Sequence, residues 1–135
     1  MQAMLMWVRD WISGRTFNTG KVYPTLAAAV TVTGAAGANT YGAYVELFAA
    51  SVTTKPIIIT SIDVSVIAGV QQFAIGFGAA ASEVIKTELP ISTTGQKILP
   101  RPLFVPAGYR VAFKTASVAG GSQAIQVKAS YVEVV

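Results

Sequence analysis

The chain contains no cysteine and no histidine. Without cysteine it has neither a disulfide framework nor a thiolate nucleophile. Without histidine it lacks the commonest general base and the commonest metal ligand. Charge is also scarce. Asp, Glu, Lys and Arg make up 12% of the sequence, against a usual share of about 25%. The acids are Asp10, Glu46, Asp63, Glu83, Glu88 and Glu133. Long apolar runs are missing as well. Met1–Val8 is apolar, but Arg9 and Asp10 interrupt it, well short of the ~20 residues that span a bilayer. No basic residues precede this stretch and no clear small-residue cleavage site follows, so it does not read as a secretion signal. These absences predict a protein made and kept, or assembled, in a cytoplasm, with no membrane partner.

What is present is neutral and apolar. The 135 residues are 53% hydrophobic. That length suits one domain, able to bury roughly two-thirds of its unfolded surface. Much neutral surface is tolerable where partners cover it. The formal charge is +4. Its carriers are scattered, however: Arg9, Arg15, Lys21, Lys55, Lys86, Lys97, Arg101, Arg110, Lys114 and Lys128 form no run or helical stripe. The pattern does not point to direct nucleic-acid binding. It suits solubility or an acidic partner.

Two regions separate by pattern, residues 1–25 and residues 26–135. In the first, Met4, Val8 and Trp11 recur at i, i+4 and i+7, with Leu5 and Ile12 beside them. This spacing predicts a short helix over Met1–Ile12, stopped near Gly14. A helix of about twelve residues is marginal alone in water, so it must dock, either on its own domain or on a neighbouring subunit. Arg15–Thr25 contains Asn18, Gly20 and Pro24 and reads as a connector. Met4, Leu5, Val8, Trp11 and Ile12, with Arg9 and Arg15, are the candidate partner-binding residues of this arm.

From Leu26 onward the pattern is β. Strand signals fall at Thr31–Thr33, Ala43–Ala50, Ile57–Ala68, Phe73–Phe77, Glu83–Leu89, Tyr109–Thr115 and Ala124–Val134. Ile62, Val64 and Val66 alternate with Ser61, Asp63 and Ser65, the period of a half-buried strand. Val111 and Phe113 oppose Arg110 and Lys114. Ile125, Val127 and Ala129 oppose Gln126, Lys128 and Ser130, and the period slips near Tyr131 and Val132, as at a bulge or strand end. Pro90, Pro100, Pro102 and Pro106 predict edges and corners. Pro106 and Gly108 mark a turn into the next strand. No helical segment sits between these strands. The expected fold is all-β, an antiparallel two-sheet β-sandwich of jelly-roll type with a short N-terminal helix or arm.

No catalytic constellation emerges. A glycosidase needs two carboxylates facing one bond, and no acid spacing supports a pair. Calcium needs clustered oxygen ligands, and no Asp-rich loop is present. A serine nucleophile has only Lys or a carboxylate to serve as its base. Gly76-Phe-Gly78 resembles a dinucleotide loop in composition alone, because a strand rather than a helix follows it. Small residues at a tight turn where backbones approach account for it. No catalytic, metal or cofactor residues are therefore assigned, and enzyme activity is not expected. Among the aromatics, Phe73, Phe77 and Phe113 sit at core-facing positions. Tyr41 and Tyr44, beside a Gly-rich turn, are the candidates for a sugar-stacking platform.

The segment from about Val52 to Val134 resembles small virion proteins of tailed bacteriophages. The features are IIITSIDVSV, FAIGFGAAASEV, LPRPLFVPAGYRVAFKT and AIQVKASYVEV. Those families include capsid decoration, or cement, proteins and head- or tail-fibre modules. They have no catalytic motif, so no functional residues carry over. The resemblance implies a virion protein that binds the major capsid protein or other virion proteins, as a homo-oligomer with a trimer favoured. A fibre, spike or connector component, or a carbohydrate-binding module, is the alternative.

Overall fold

The computed structural model describes residues 21–23, 29–51, 53–79 and 82–134. They form β1 (Lys21–Tyr23), β2 (Val30–Thr33), β3 (Val45–Phe48), β4 (Ile57–Ile67), β5 (Gln71–Gly78), β6 (Val84–Ile91), β7 (Gly95–Val105), β8 (Arg110–Ser117) and β9 (Ala124–Glu133). All pairings between them are antiparallel. The first sheet runs β1-β9-β4-β7, with β2 also on β9, and the second runs β3-β8-β5-β6. The expected helix over Met1–Ile12 lies outside the described residues. Lys21–Tyr23, within the stretch that reads as connector, form β1 and pair with Ala129–Tyr131.

Strand alternation explains the core. Ile57, Ile59, Ile62, Val64, Ile125, Val127 and Ala129 from the first sheet meet Phe73, Ile75, Val111 and Phe113 from the second in one buried cluster. The Phe73 and Phe113 rings lie 4.9 Å apart, tilted, within the range of a favourable aromatic pair. The two sheets thus face each other across a shared core in a sandwich-like arrangement. Phe77, at the end of β5, is half-buried and packs against the margin of that core.

Two expectations need correction. Val66 does not continue the inward row of Ile62 and Val64; it is 51% exposed. The β4–β9 register shifts between Val64 and Val66, and one extra residue reverses the facing of everything after it. A second shift, between Ile59 and Ser61, lies opposite Tyr131 and Ser130, where the period of β9 slips. The other correction is β7 itself, a strand over Gly95–Val105 that no alternation marked; of the edges and corners that the prolines predict, it is an edge. Leu103 pairs with Ile59 and Ile98 with Ser61, so Leu99–Pro102 bulge out of the ladder. β7 is an edge strand, the position where missing proline N–H groups are tolerated. Leu99 still turns inward and is buried.

The core also holds a polar link. Gln71 is fully buried. Its Nε2 donates to the carbonyls of Ala68 at 3.0 Å and Ala124 at 3.2 Å. Its Oε1 accepts from the Thr115 hydroxyl at 2.7 Å. A buried amide is stable only when its groups are paired in this way. Gly108 closes the β7–β8 turn at φ 83°, a conformation that favours glycine, and its N–H donates to Thr53 O.

Candidate functional site

The densest polar grouping lies on the outer face of the second sheet. β8 turns Arg110, Ala112, Lys114 and Ala116 outward, opposite Val111 and Phe113. Lys114 stands beside Ala74 of β5, which stands beside Glu88 of β6. Ala74, Ala112 and Ala116 are nevertheless buried. The segment before β3 accounts for some of that cover. Tyr41 bridges to Ala116. The Tyr44 hydroxyl comes so near Gly76 that a Cβ there would stand 3.0 Å from it, and 2.8 Å from Val84 O. Gly76 therefore serves close approach, as its composition suggested, although it lies within a strand.

Lys114 joins the two tyrosines. Its Nζ lies 4.7 Å from the Tyr41 ring centroid and 4.5 Å from that of Tyr44, within cation–π range. The Tyr41 hydroxyl donates to Glu88. Burial, and then that hydrogen bond, push the Tyr41 pKa well above the tyrosine value. Burial also raises Tyr44, with the charges of Glu83 and Glu88 adding to the shift. At one end of the same sheet Arg110 Nε donates to Glu46 at 2.8 Å, and Arg110 also pairs with Glu83. The Glu83 side chain is buried, and its Oε2 has no partner among the described residues.

Glu46 and Glu83 are engaged by Arg110, and Glu88 by Tyr41. The structure brings Tyr41 and Tyr44 to one place, as a platform requires. Both are half-buried, however, and a sugar stacking there competes with Lys114 for the rings. Lys114, Glu88, Arg110, Glu46 and Glu83 had no sequence signal tying them to the tyrosines. The β8 alternation placed Arg110 and Lys114 on one face, but the cross-strand register that adds Glu88 has no local signature. The arm residues Met4, Leu5, Val8, Arg9, Trp11, Ile12 and Arg15 lie outside the described residues.

Two shallow clefts lie elsewhere. One, of about 280 Å³, sits on the outer face of the first sheet between Val22, Asp63, Gln96, Lys128 and Ser130. Gln96 Nε2 donates to Ser61 Oγ beside it. The other, of about 300 Å³, separates Lys86 and Thr87 of β6 from Pro100, Arg101, Pro102 and Leu103 of the β7 bulge. Among the described lining residues, Asp63 is the one carboxylate. Among the described residues no three His, Cys, Asp or Glu side chains gather as a metal site. Nor, among them, is any helix long and apolar enough to cross a membrane.

No family model matches the chain, and no curated protein matches it. Among solved structures, one of Bacillus endospore appendages, described as a novel family of disulfide-linked pili, is similar at 8% identity and a TM-score of 0.43, over 91% of this chain and 94% of that one.

Proposed function

We propose that this protein is a non-enzymatic structural protein of a tailed-phage virion, a decoration or cement protein that binds capsid subunits and stabilises the shell. The observation that carries this is the strand order. From β2 onward the two sheets read β2-β9-β4-β7 and β3-β8-β5-β6. We read that order as one of jelly-roll type, an architecture used in viral capsid domains. The warrant is an analogy of fold, and the resemblance of residues 52–134 to phage virion proteins points the same way. The chemistry agrees with it. Among the described residues the clefts bring one carboxylate, Asp63, to their lining, and Glu46, Glu83 and Glu88 of the second sheet are held by Arg110 and Tyr41. A sandwich with few charges has little desolvation to overcome when a wide interface closes over it.

In this function the segment with Met4, Leu5, Val8, Trp11 and Ile12 is the arm that engages a capsid neighbour, with Arg9 and Arg15 meeting acidic capsid surface. Trp and Met are residue types enriched at the centres of interfaces. The test uses particles of a phage that carries this chain, stripped of it. The full chain is expected to co-sediment with them. A chain lacking residues 1–14 is expected to keep its β circular-dichroism spectrum and to stay in the supernatant. If the truncated chain binds as well as the full one, the arm has no such role. If the full chain binds no shell, the capsid assignment falls.

A further inference from the structure

The outer face of the first sheet carries apolar side chains that its own described residues cover only in part. Val132 of β9, Ile58 of β4 and Phe104 of β7 are cross-strand partners. Ile98 lies further along β7, and Val22 of β1 is the partner of Ser130. Phe104 is 51% exposed and Ile98 78%. The outward face of an antiparallel sheet is ordinarily polar where it meets water. Val22, Ile98 and Phe104, exposed beside half-buried Ile58 and Val132, therefore call for a cover, although Asp63, Gln96, Lys128 and Ser130 share part of the face.

We infer that residues 1–12 of the same chain seat on this face. The chain enters the fold at the right place. Residue 20 leads directly into β1, at the edge of this sheet, and Val22 already turns to the same face as Ser130. The length is sufficient. Residues 13–20 reach about 26 Å when extended. The distance from β1 to β7 is about 14 Å, three strand spacings. Folded as their spacing predicts, residues 1–12 would make a helix about 18 Å long, enough to cross the sheet. Its stripe of Met4, Leu5, Val8, Trp11 and Ile12 supplies the matching apolar surface. A short tether also gives the segment a high effective concentration at its own subunit, which favours this seat over a neighbour's in the isolated protein. The seat belongs to the free subunit and does not depend on which particle the protein joins; on assembly the same segment is available for exchange.

The chain's two tryptophans, Trp7 and Trp11, both lie in this segment, so fluorescence reports its seat directly. The full chain is expected to show blue-shifted emission and weak acrylamide quenching, both unchanged on dilution. Combining Ile98→Lys with Phe104→Lys is expected to shift the emission red and raise quenching to that of free N-acetyltryptophanamide. Val84→Lys, an equally drastic change at a 58% exposed position on the other sheet, is expected to leave both unaltered. If the double variant loses its circular-dichroism spectrum, Ile98→Lys alone carries the test. Solvent-like tryptophans in the parent chain overturn the inference. So does emission indifferent to Ile98→Lys and Phe104→Lys, which puts the seat elsewhere. A blue shift lost on dilution assigns the seat to a second copy and overturns docking on the same chain.

Discussion

Tyr41 shows how one side chain ties the surface cluster to the stability of the fold. Burial and its hydrogen bond to Glu88 hold the phenol proton well beyond the ordinary tyrosine value of 10.0. The unfolded chain releases that proton near pH 10 while the folded chain keeps it. The stabilisation is thus complete below pH 10 and is lost as pH rises through the folded-state value. Tyr44 and Tyr131 are shifted in the same direction by burial. Urea midpoints measured from pH 8 upward should therefore fall above about pH 10. Tyr41→Phe should make that fall shallower and lower the number of late-titrating phenols by one in an absorbance titration. An unchanged slope in the variant means that Tyr41 does not contribute to the fall. Residue facing was legible wherever the two-residue period ran uninterrupted: Val111 and Phe113, then Ile125, Val127 and Ala129, are all buried as the pattern requires. Val66 was not legible, because the apolar alternation of β4 runs on unbroken through the register shift between Val64 and Val66.

Among the elements, β7 departs most from its local signals. Pro100 and Pro102 argue against a strand, yet Gly95–Ile98 and Leu103–Val105 pair with β4 on either side of the bulge. Local propensity yields here to tertiary context. The prolines have a use at this edge. They remove N–H donors from a strand that, among the described residues, has no neighbour on its open side, which blunts pairing with another chain. Replacing Pro100 and Pro102 with Thr restores those donors. The double variant is expected to keep its urea midpoint and to associate at high concentration, seen as growing species in sedimentation velocity. A variant as monodisperse as the parent removes the protective role. Leu99 anchors the bulge from inside, so Leu99→Ala is a different perturbation and belongs to the core.

At the scale of the whole molecule, the sequence yielded the all-β class and two antiparallel sheets, because turn signals and alternation are local. Strand order was not legible. It depends on which distant strand each one meets, and β9 pairs with three strands from the first half of the chain. The same limit hid the cluster around Lys114, assembled from β3, β5, β6, β8 and the segment before β3. A decoration protein at a junction of capsid subunits is expected to oligomerise, and light scattering of the purified chain should give three copies of 14.1 kDa. A single copy at all concentrations rules out the trimer.

The place of β9 has a bearing on synthesis. β1 and β2 have no strand partner among the described residues except β9, and β4 depends on it along one flank. A ribosome must therefore release residues 124–133 before the first sheet can close. Until then the nascent chain carries the apolar residues of β4 with one side unzipped, and closure of the first sheet waits for β9.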